Sequence, residues 1–305
     1  MIKETPSQLG IQSYLLNFPF TISTENLNNI WMQELTDDEL VIDKEKAYKQ
    51  FMDLYSFMAS YGLVYLLPSE GNLQDQVYVA NLGLQLPHHN NGNTILLSNF
   101  TSDPRKGEEK VGEKFFTQMG YDVHICPYKW EGEADLKHLY DNVYVGGYGI
   151  RSQIKAYKWM EQNFDMKIIK VAMVDEYLYH LDCSIFPLDN ANTMICTELY
   201  DEDEVAELER YTNVIDIDID ACLAGITNSV RMGNMILTAS NITELSPKDE
   251  FYASEKHKIE VLEKICSEFA FEPIIFNLSE YLKSGALLSC LVMHLNRVDH
   301  NKVLV

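Results

Sequence analysis

YHLDCSIFPLD, residues 179–189, sets His180 two positions before Asp182 in an otherwise apolar, strand-like run. In a strand, that period-2 spacing puts both side chains on one face. A carboxylate on a buried face is costly unless it is partnered. The run is therefore either a solvated strand end or part of a face where polar groups gather.

Working outward, apolar residues at three- and four-residue spacing predict helices over 44–62, 107–120, 152–164, 202–211 and 254–269. Between them lie β-rich runs such as QVYVANLGLQL, TILLSNF, NVYVGG, MKIIKVAMVD, NTMICTEL, VIDIDID, NMILTAS, PIIFNL and LSCLVMHLNRV. Strand, strand, helix, strand recurs about five times, and the helix starts lie roughly 45 to 65 residues apart. Such spacing suggests a circular array, with a doubly wound α/β sheet as the alternative. The nine prolines and fifteen glycines are dispersed and mark no linker, so residues 1–305 are read as a single domain. DEDE at 201–204 reads as an acidic first helical turn.

Composition narrows the function. Forty-six acids oppose 24 bases, a formal charge of −22, which argues against nucleic acid or an anionic membrane as partner and suits a cationic ligand. No apolar run approaches a membrane span, and MIKETPSQLG lacks a secretory layout, so the expected location is cytoplasmic. The six cysteines form no CxxC pair, and neither a disulfide framework nor a metal site is expected; at least five read as buried small hydrophobes. GxGxxG and GK[ST] are absent, so a nucleotide cofactor has no support and none is expected.

Several β-rich ends carry polar residues that a turn or cap would also explain. Asp75 precedes a strand that Asn81 closes in LQDQVYVANLG, and WEGEAD packs Glu131, Glu133 and Asp135 into five residues. Arg105 in SDPRKGEEK and Arg151 in GGYGIRSQ lie beside helix starts, against the macrodipole. Cys290 begins an apolar strand in SGALLSCLVMHLNR. Trp31 in NNIWMQE either closes over a site or packs in the core.

The order of these stretches is more specific than any one of them. NNIWMQE, QDQVYVANLG, PRKGEE, WEGEAD, GYGIRS, HLD and LLSCLVMHLNR resemble, from about residue 28 to about 297, the successive motifs of the guanidino-group-modifying superfamily. That superfamily includes arginine deiminases, arginine dihydrolases, amidinotransferases and dimethylarginine dimethylaminohydrolases. The resemblance implies the pentein fold, a five-bladed α/β propeller of ββαβ modules around a central channel, in agreement with the five modules. It implies Cys290 as nucleophile, His180 as general acid/base, Glu131 as the EGxxD acid and Asp182 as a grip on the guanidinium. It further implies Arg105 and Arg151 as arginines near the channel mouth that hold the α-carboxylate, with Asp75, Asn81 and Trp31 as further candidate substrate contacts. His180 and Asp182 would then both face the channel.

The implied chemistry is a cofactor-free hydrolysis of arginine or an arginine-like compound through a covalent thiouronium on Cys290. Asp182 counts against a dimethylarginine hydrolase, which usually lacks an acid there, and Asn81, where deiminases and amidinotransferases usually carry aspartate, favours an arginine dihydrolase that releases ornithine and two ammonia. The alternatives are an amidinotransferase, a deiminase giving citrulline, and a non-catalytic pentein-fold binding protein. Glu133 and Ala134, which replace the glycines of the commoner motif, are expected near the substrate. A catalytic Cys290 is expected to alkylate faster than the other five thiols near neutral pH. The partner is a small cationic guanidino compound; a homo-oligomer is compatible with the sequence.

Overall fold

Leu15 faces one way from its strand, and Tyr14 and Leu16 face the other; all three are buried. The computed structural model, which describes residues 4–298, shows why both faces are apolar. Its strands form five three-stranded sheets, and most of the core lies between neighbouring sheets.

In chain order, β1 (Ser13–Asn17) is followed by the short α1 (Ile30–Glu34), α2 (Lys44–Tyr61) and β2 (Leu63–Leu67). The second module is β3 (Gly83–Leu86), β4 (Thr94–Leu97), α3 (Glu108–Gln118) and β5 (Asp122–Ile125). The turn α4 (Gly132–Asp135) leads into β6 (Leu136–Tyr140), β7 (Val143–Tyr148), α5 (Ile154–Phe164) and β8 (Lys167–Ala172). Then come β9 (Ile185–Pro187), β10 (Asn192–Ile195), α6 (Glu202–Glu209) and β11 (Asn213–Asp216). After α7 (Ile219–Leu223) the next module is β12 (Val230–Met232), β13 (Met235–Ala239), α8 (Tyr252–Glu268) and β14 (Glu272–Phe276), and β15 (Met293–His294) ends the series.

Within each module the first two strands are antiparallel, and the helix carries the chain to a parallel third strand. The remaining sheet has the order β15-β1-β2, so its first strand comes from the C-terminal end of the chain. This pairing closes the ring of five ββαβ blades. Leu15 joins a cluster with Ile95, Leu97 and Phe116, whereas Tyr14 and Leu16 join one with Phe51, Val230 and Leu237. Likewise Tyr144 packs toward Leu84 and Leu96, and Val143 and Val145 pack toward Ile185 and Ile195. Each blade thus stabilises both neighbours through opposite faces, which explains the nearly continuous apolar runs.

The expected helices are present with ends shifted by a few residues, and Asp201 and Glu204 form a capping box at the start of α6. The expected strands are shortened where polar residues occur. QVYVANLGLQL begins as turns, with a 3-10 turn at Val79–Leu82, so Asn81 does not close a strand. His180 precedes a 3-10 turn at Leu181–Cys183, and Cys290 lies in another at Ser289–Leu291 rather than starting a strand. Tight turns at blade ends free side chains from the alternation of a sheet and aim them inward.

Asn296 ties the two ends of the chain together. Its Oδ1 accepts from the Ser13 amide at 3.1 Å, and its Nδ2 donates to the carbonyls of Pro6, Leu9 and Ile11 at 3.2, 3.3 and 2.8 Å. Replacing it by alanine leaves buried groups without partners, so Asn296→Ala should lower unfolding free energy by about 2 kcal/mol, measured by urea denaturation. No change would contradict a role for this clasp.

Candidate active site

Gly132 decides how the EGEAD stretch approaches the VAN turn. Its φ is +64°, and a Cβ there would lie 2.3 Å from the Ala80 carbonyl oxygen and 2.7 Å from the Asn81 carbonyl carbon. Only glycine allows this backbone-on-backbone contact. The result brings Glu131 and Asp135, four residues apart across one helical turn, to the same centre as Asn81.

His180 is held at that centre. Its Nδ1 lies 2.7 Å from Asp135 Oδ1, while Asn81 Nδ2 lies 3.1 Å from Nε2. Because the carboxylate accepts the Nδ1 proton and the amide donates to Nε2, neutral His180 presents its Nε2 lone pair, the form a general base requires. Ser152 donates to the other Asp135 oxygen. Burial pushes Asp135 above the ordinary aspartate value, against the pull of His180.

Glu131 is fully buried. Its Oε1 accepts from the Thr101 amide at 3.0 Å, whereas Oε2 has no hydrogen-bond partner and lies 3.5 Å from His180 Nε2 and 3.7 Å from Arg151 Nη1. Burial raises its pKa, but the charges of His180, Arg151 and Arg105 outweigh burial and hold it below the usual glutamate range. An ionised buried oxygen without a hydrogen bond is a costly arrangement that a cationic ligand would relieve.

Asp182 is also fully buried, and its Oδ2 accepts from Ser289 Oγ at 2.6 Å. Cys290 follows Ser289, and its Sγ accepts from Asn228 Nδ2 at 3.5 Å. Burial, reinforced by the charge of Asp182, pushes the Cys290 thiol up to about 12. The nucleophile candidate is therefore a thiol, not a thiolate, in the empty site.

The remaining candidates lie around this group. Buried Asp75 accepts from Asn28 Nδ2 and from Gln74 Nε2, and burial raises its carboxyl against the charges of Arg105 and Arg151. Arg151 donates to the Asn28 carbonyl at 2.6 Å and lies over the Tyr179 ring. Trp31 is half-buried; its Nε1 donates to the Tyr177 carbonyl at 2.9 Å and its ring meets Tyr177 edge-on, so it straps α1 to the loop before His180 rather than filling the core.

Arg105 departs from its expected role at a channel mouth. It is buried in a two-point pair with Glu108, at 3.0 and 2.8 Å, and its Nη2 also reaches the carbonyls of Asp75 and Tyr78. It braces the Asp75 segment, and Glu108 is pushed up to about 7 by burial. Glu133 is not near the guanidinium grip: it accepts from His294 Nδ1 at 2.8 Å and pairs with Arg297 at 3.1 Å on another side of the turn. Among the cysteines, Cys126, Cys196, Cys222 and Cys266 are buried, while Cys183, like Cys290, keeps partial exposure, one short of the expected five buried thiols.

Sequence reasoning named Asp135 among the acids of WEGEAD but gave it no role, and it missed Asn228, Ser289 and Ser152. The spacing of Glu131 and Asp135 by four was a usable signal for the first; the other three are polar residues common in any turn.

Residues 17–250 match the family model described as N,N dimethylarginine dimethylhydrolase, eukaryotic. The chain belongs to this family. It is 24% identical over 264 residues to the bifunctional arginine dihydrolase/ornithine cyclodeaminase AgrE of Nostoc sp., covering 85% of this chain and 35% of AgrE. The chain thus spans about a third of the length of that relative and of its Synechocystis counterpart ArgZ. It is 23% identical over 285 residues to the N(G),N(G)-dimethylarginine dimethylaminohydrolase of Mycobacterium tuberculosis, covering 93% and 85%. The product-bound N-terminal domain of ArgZ, a cyanobacterial arginine dihydrolase, superposes with a TM-score of 0.80 at 22% identity over 93% of this chain and 97% of that one. The pentein arrangement expected from the motifs is thereby established.

Removing a negative neighbour stabilises a thiolate. Asp182→Asn should therefore speed alkylation of Cys290 by iodoacetamide at pH 8, with about a tenfold gain for each pH unit by which the thiol falls. Peptide mapping by mass spectrometry separates Cys290 from the other five thiols. Equal rates in wild type and variant would contradict the electrostatic account.

Proposed function

We propose that the chain acts as one catalytic domain that hydrolyses the guanidinium group of arginine or an arginine-like compound, in the manner of an arginine dihydrolase. The observation that carries this reading is the buried Oε2 of Glu131, which has no hydrogen bond and lies beside His180, with Asp182 next to the Cys290 turn. Two buried carboxylates fit the planar N–H fork of an unsubstituted guanidinium. A dimethylated nitrogen has no N–H for one of them, which favours arginine over dimethylarginine as substrate.

The bound cation offsets the charge of Asp182 and brings the Cys290 thiol within reach of His180 as base. Sγ bonds to the guanidinium carbon as its proton passes to Nε2. The same proton goes to the departing nitrogen, one ammonia leaves, and a thiouronium remains. Water, deprotonated by His180, adds to the carbon; breaking the C–S bond at this point would give citrulline. In the dihydrolase course the tetrahedral carbon instead expels its second terminal nitrogen as ammonia and leaves an S-carbamoyl group on Cys290; a second water adds to that carbonyl, the C–S bond breaks to return the thiol, and the released carbamate loses carbon dioxide to give ornithine.

Asn81 favours the longer course. Its amide donates to His180 Nε2 and carries an acceptor, a combination suited to a neutral ureido group, whereas an acid there would repel no cation but would bind the ureido poorly.

Incubation with L-arginine, beside asymmetric dimethylarginine and a Cys290→Ala control, tests this reading by quantifying ammonia, citrulline, ornithine and dimethylamine. The expected result is two ammonia and one ornithine per arginine, with none in the control. Accumulation of citrulline from arginine would make the protein a deiminase, and turnover of dimethylarginine alone would overturn the choice of substrate.

A further inference from the structure

Each blade is entered through a turn, and four of the five turns supply a residue of the site. Asn81 lies two residues before β3, Asp135 one before β6, Asp182 three before β9 and Cys290 three before β15. The corresponding turn of the remaining blade runs from α7 to β12, and two residues before β12 it carries Asn228, which is 3% exposed. Gly225 lets this turn come close to the nucleophile segment. Its φ is +84°, and a Cβ there would lie 2.1 Å from Leu287 Cδ1. Glycine thus allows residues 225–228 to pack against residues 287–290.

The orientation of the Asn228 carboxamide follows from its partners. Oδ1 accepts from the Ser289 amide at 2.9 Å, and a flipped side chain would set its NH2 group against that N–H, donor against donor. Nδ2 therefore faces Cys290 Sγ, to which it donates at 3.5 Å. In the resting thiol, Sγ also lies 3.8 Å from Oδ1, but the Ser289 amide holds that oxygen at the shorter distance. A thiol sulfur is a weak acceptor, whereas a thiolate carries a full charge, so the Nδ2 bond strengthens as the proton leaves.

The other groups around the sulfur give this bond its weight. Burial and the charge of Asp182 oppose ionisation of Cys290, and the main chain at Leu287, the Asn228 amide and the more distant charge of Lys137 favour it. The Cys183 thiol and the phenols of Tyr78 and Tyr179 are held neutral by burial. We propose that Asn228 is a further catalytic residue, a hydrogen-bond donor to Cys290 Sγ that stabilises the sulfur anion as it attacks the guanidinium carbon and again when the C–S bond breaks. In the first step the thiol proton passes to His180 as the S–C bond forms; in the last the electron pair of the C–S bond returns to sulfur. This assignment rests on the reading of Cys290 as the nucleophile of a guanidino hydrolase.

The test compares wild type with Asn228→Ala and Asn228→Asp in the full chain, each checked for folding by circular dichroism. Asn228→Asp keeps an acceptor for the Ser289 amide, which protects the turn, but puts an oxygen where Nδ2 donates. Alkylation of Cys290 by iodoacetamide, followed by peptide mapping between pH 7 and 9, should be about tenfold slower in Asn228→Ala, the factor expected when a hydrogen bond to a charged group is lost, and slower still in Asn228→Asp. With L-arginine, kcat should fall by a similar factor while KM stays nearly unchanged, because Asn228 touches the sulfur and not the guanidinium. Alkylation as fast as wild type in either folded variant, or a loss of activity expressed in KM alone, would overturn the assignment. Failure of the wild type to turn over arginine would overturn the guanidino reading instead, and the alkylation rates would still decide for or against Asn228.

Discussion

The site depends on the enforced proximity of buried carboxylates. Glu131, Asp135 and Asp182 are each at most 1% exposed and converge on one histidine and one thiol. Asp135 spends its charge on orienting His180, and Asp182 takes a hydroxyl hydrogen bond. Glu131 keeps one oxygen unbonded. Desolvation of this kind is unfavourable for the empty protein and favourable for a bound cation, so in the proposed function the same groups would supply selectivity and orientation to a guanidinium. The raised Cys290 thiol follows from the same crowding of buried acids, and in the proposed reaction the charge of a bound guanidinium offsets it.

The ring holds these groups together. No single blade contains the site, since Asn81, Glu131, His180 and Cys290 come from four different turns. Each turn is fixed by sheets whose two faces pack into different neighbours, and the series is closed by β15 against β1. Loss of closure would therefore loosen the whole constellation. Gly132 has the same importance at close range, because a side chain there would separate Glu131 and Asp135 from Asn81.

The module pattern was legible because helices with three- and four-residue periodicity alternate with short apolar strands at even spacing. The candidate site was legible through the order of its motifs, which singled out Glu131, His180, Asp182, Asn81 and Cys290, residues on turns that the ring brings together. The local backbone was less so. YHLDCS reads as strand by alternation, yet His180 and Asp182 reach their partners from a 3-10 turn, because side-chain hydrogen bonds to Asp135 and Ser289 outweigh ladder pairing in so short a segment. Arg105 and Glu133 illustrate a different limit. Their identities fit a substrate site, but whether a buried charge faces a ligand or a neighbouring side chain depends on partners far away in sequence or on the turn's rotation, as Arg297 does for Glu133.

The central claim is that the buried acids form a cradle for a guanidinium cation. Calorimetric titration of Cys290→Ser protein with L-arginine and with L-citrulline, its neutral counterpart of nearly the same shape, tests it most directly. The account predicts that arginine binds at least about tenfold more tightly, the factor expected when 1.4 kcal/mol of charge-assisted bonding is lost, and that Glu131→Gln removes most of the difference. Equal affinity for the two compounds would contradict it.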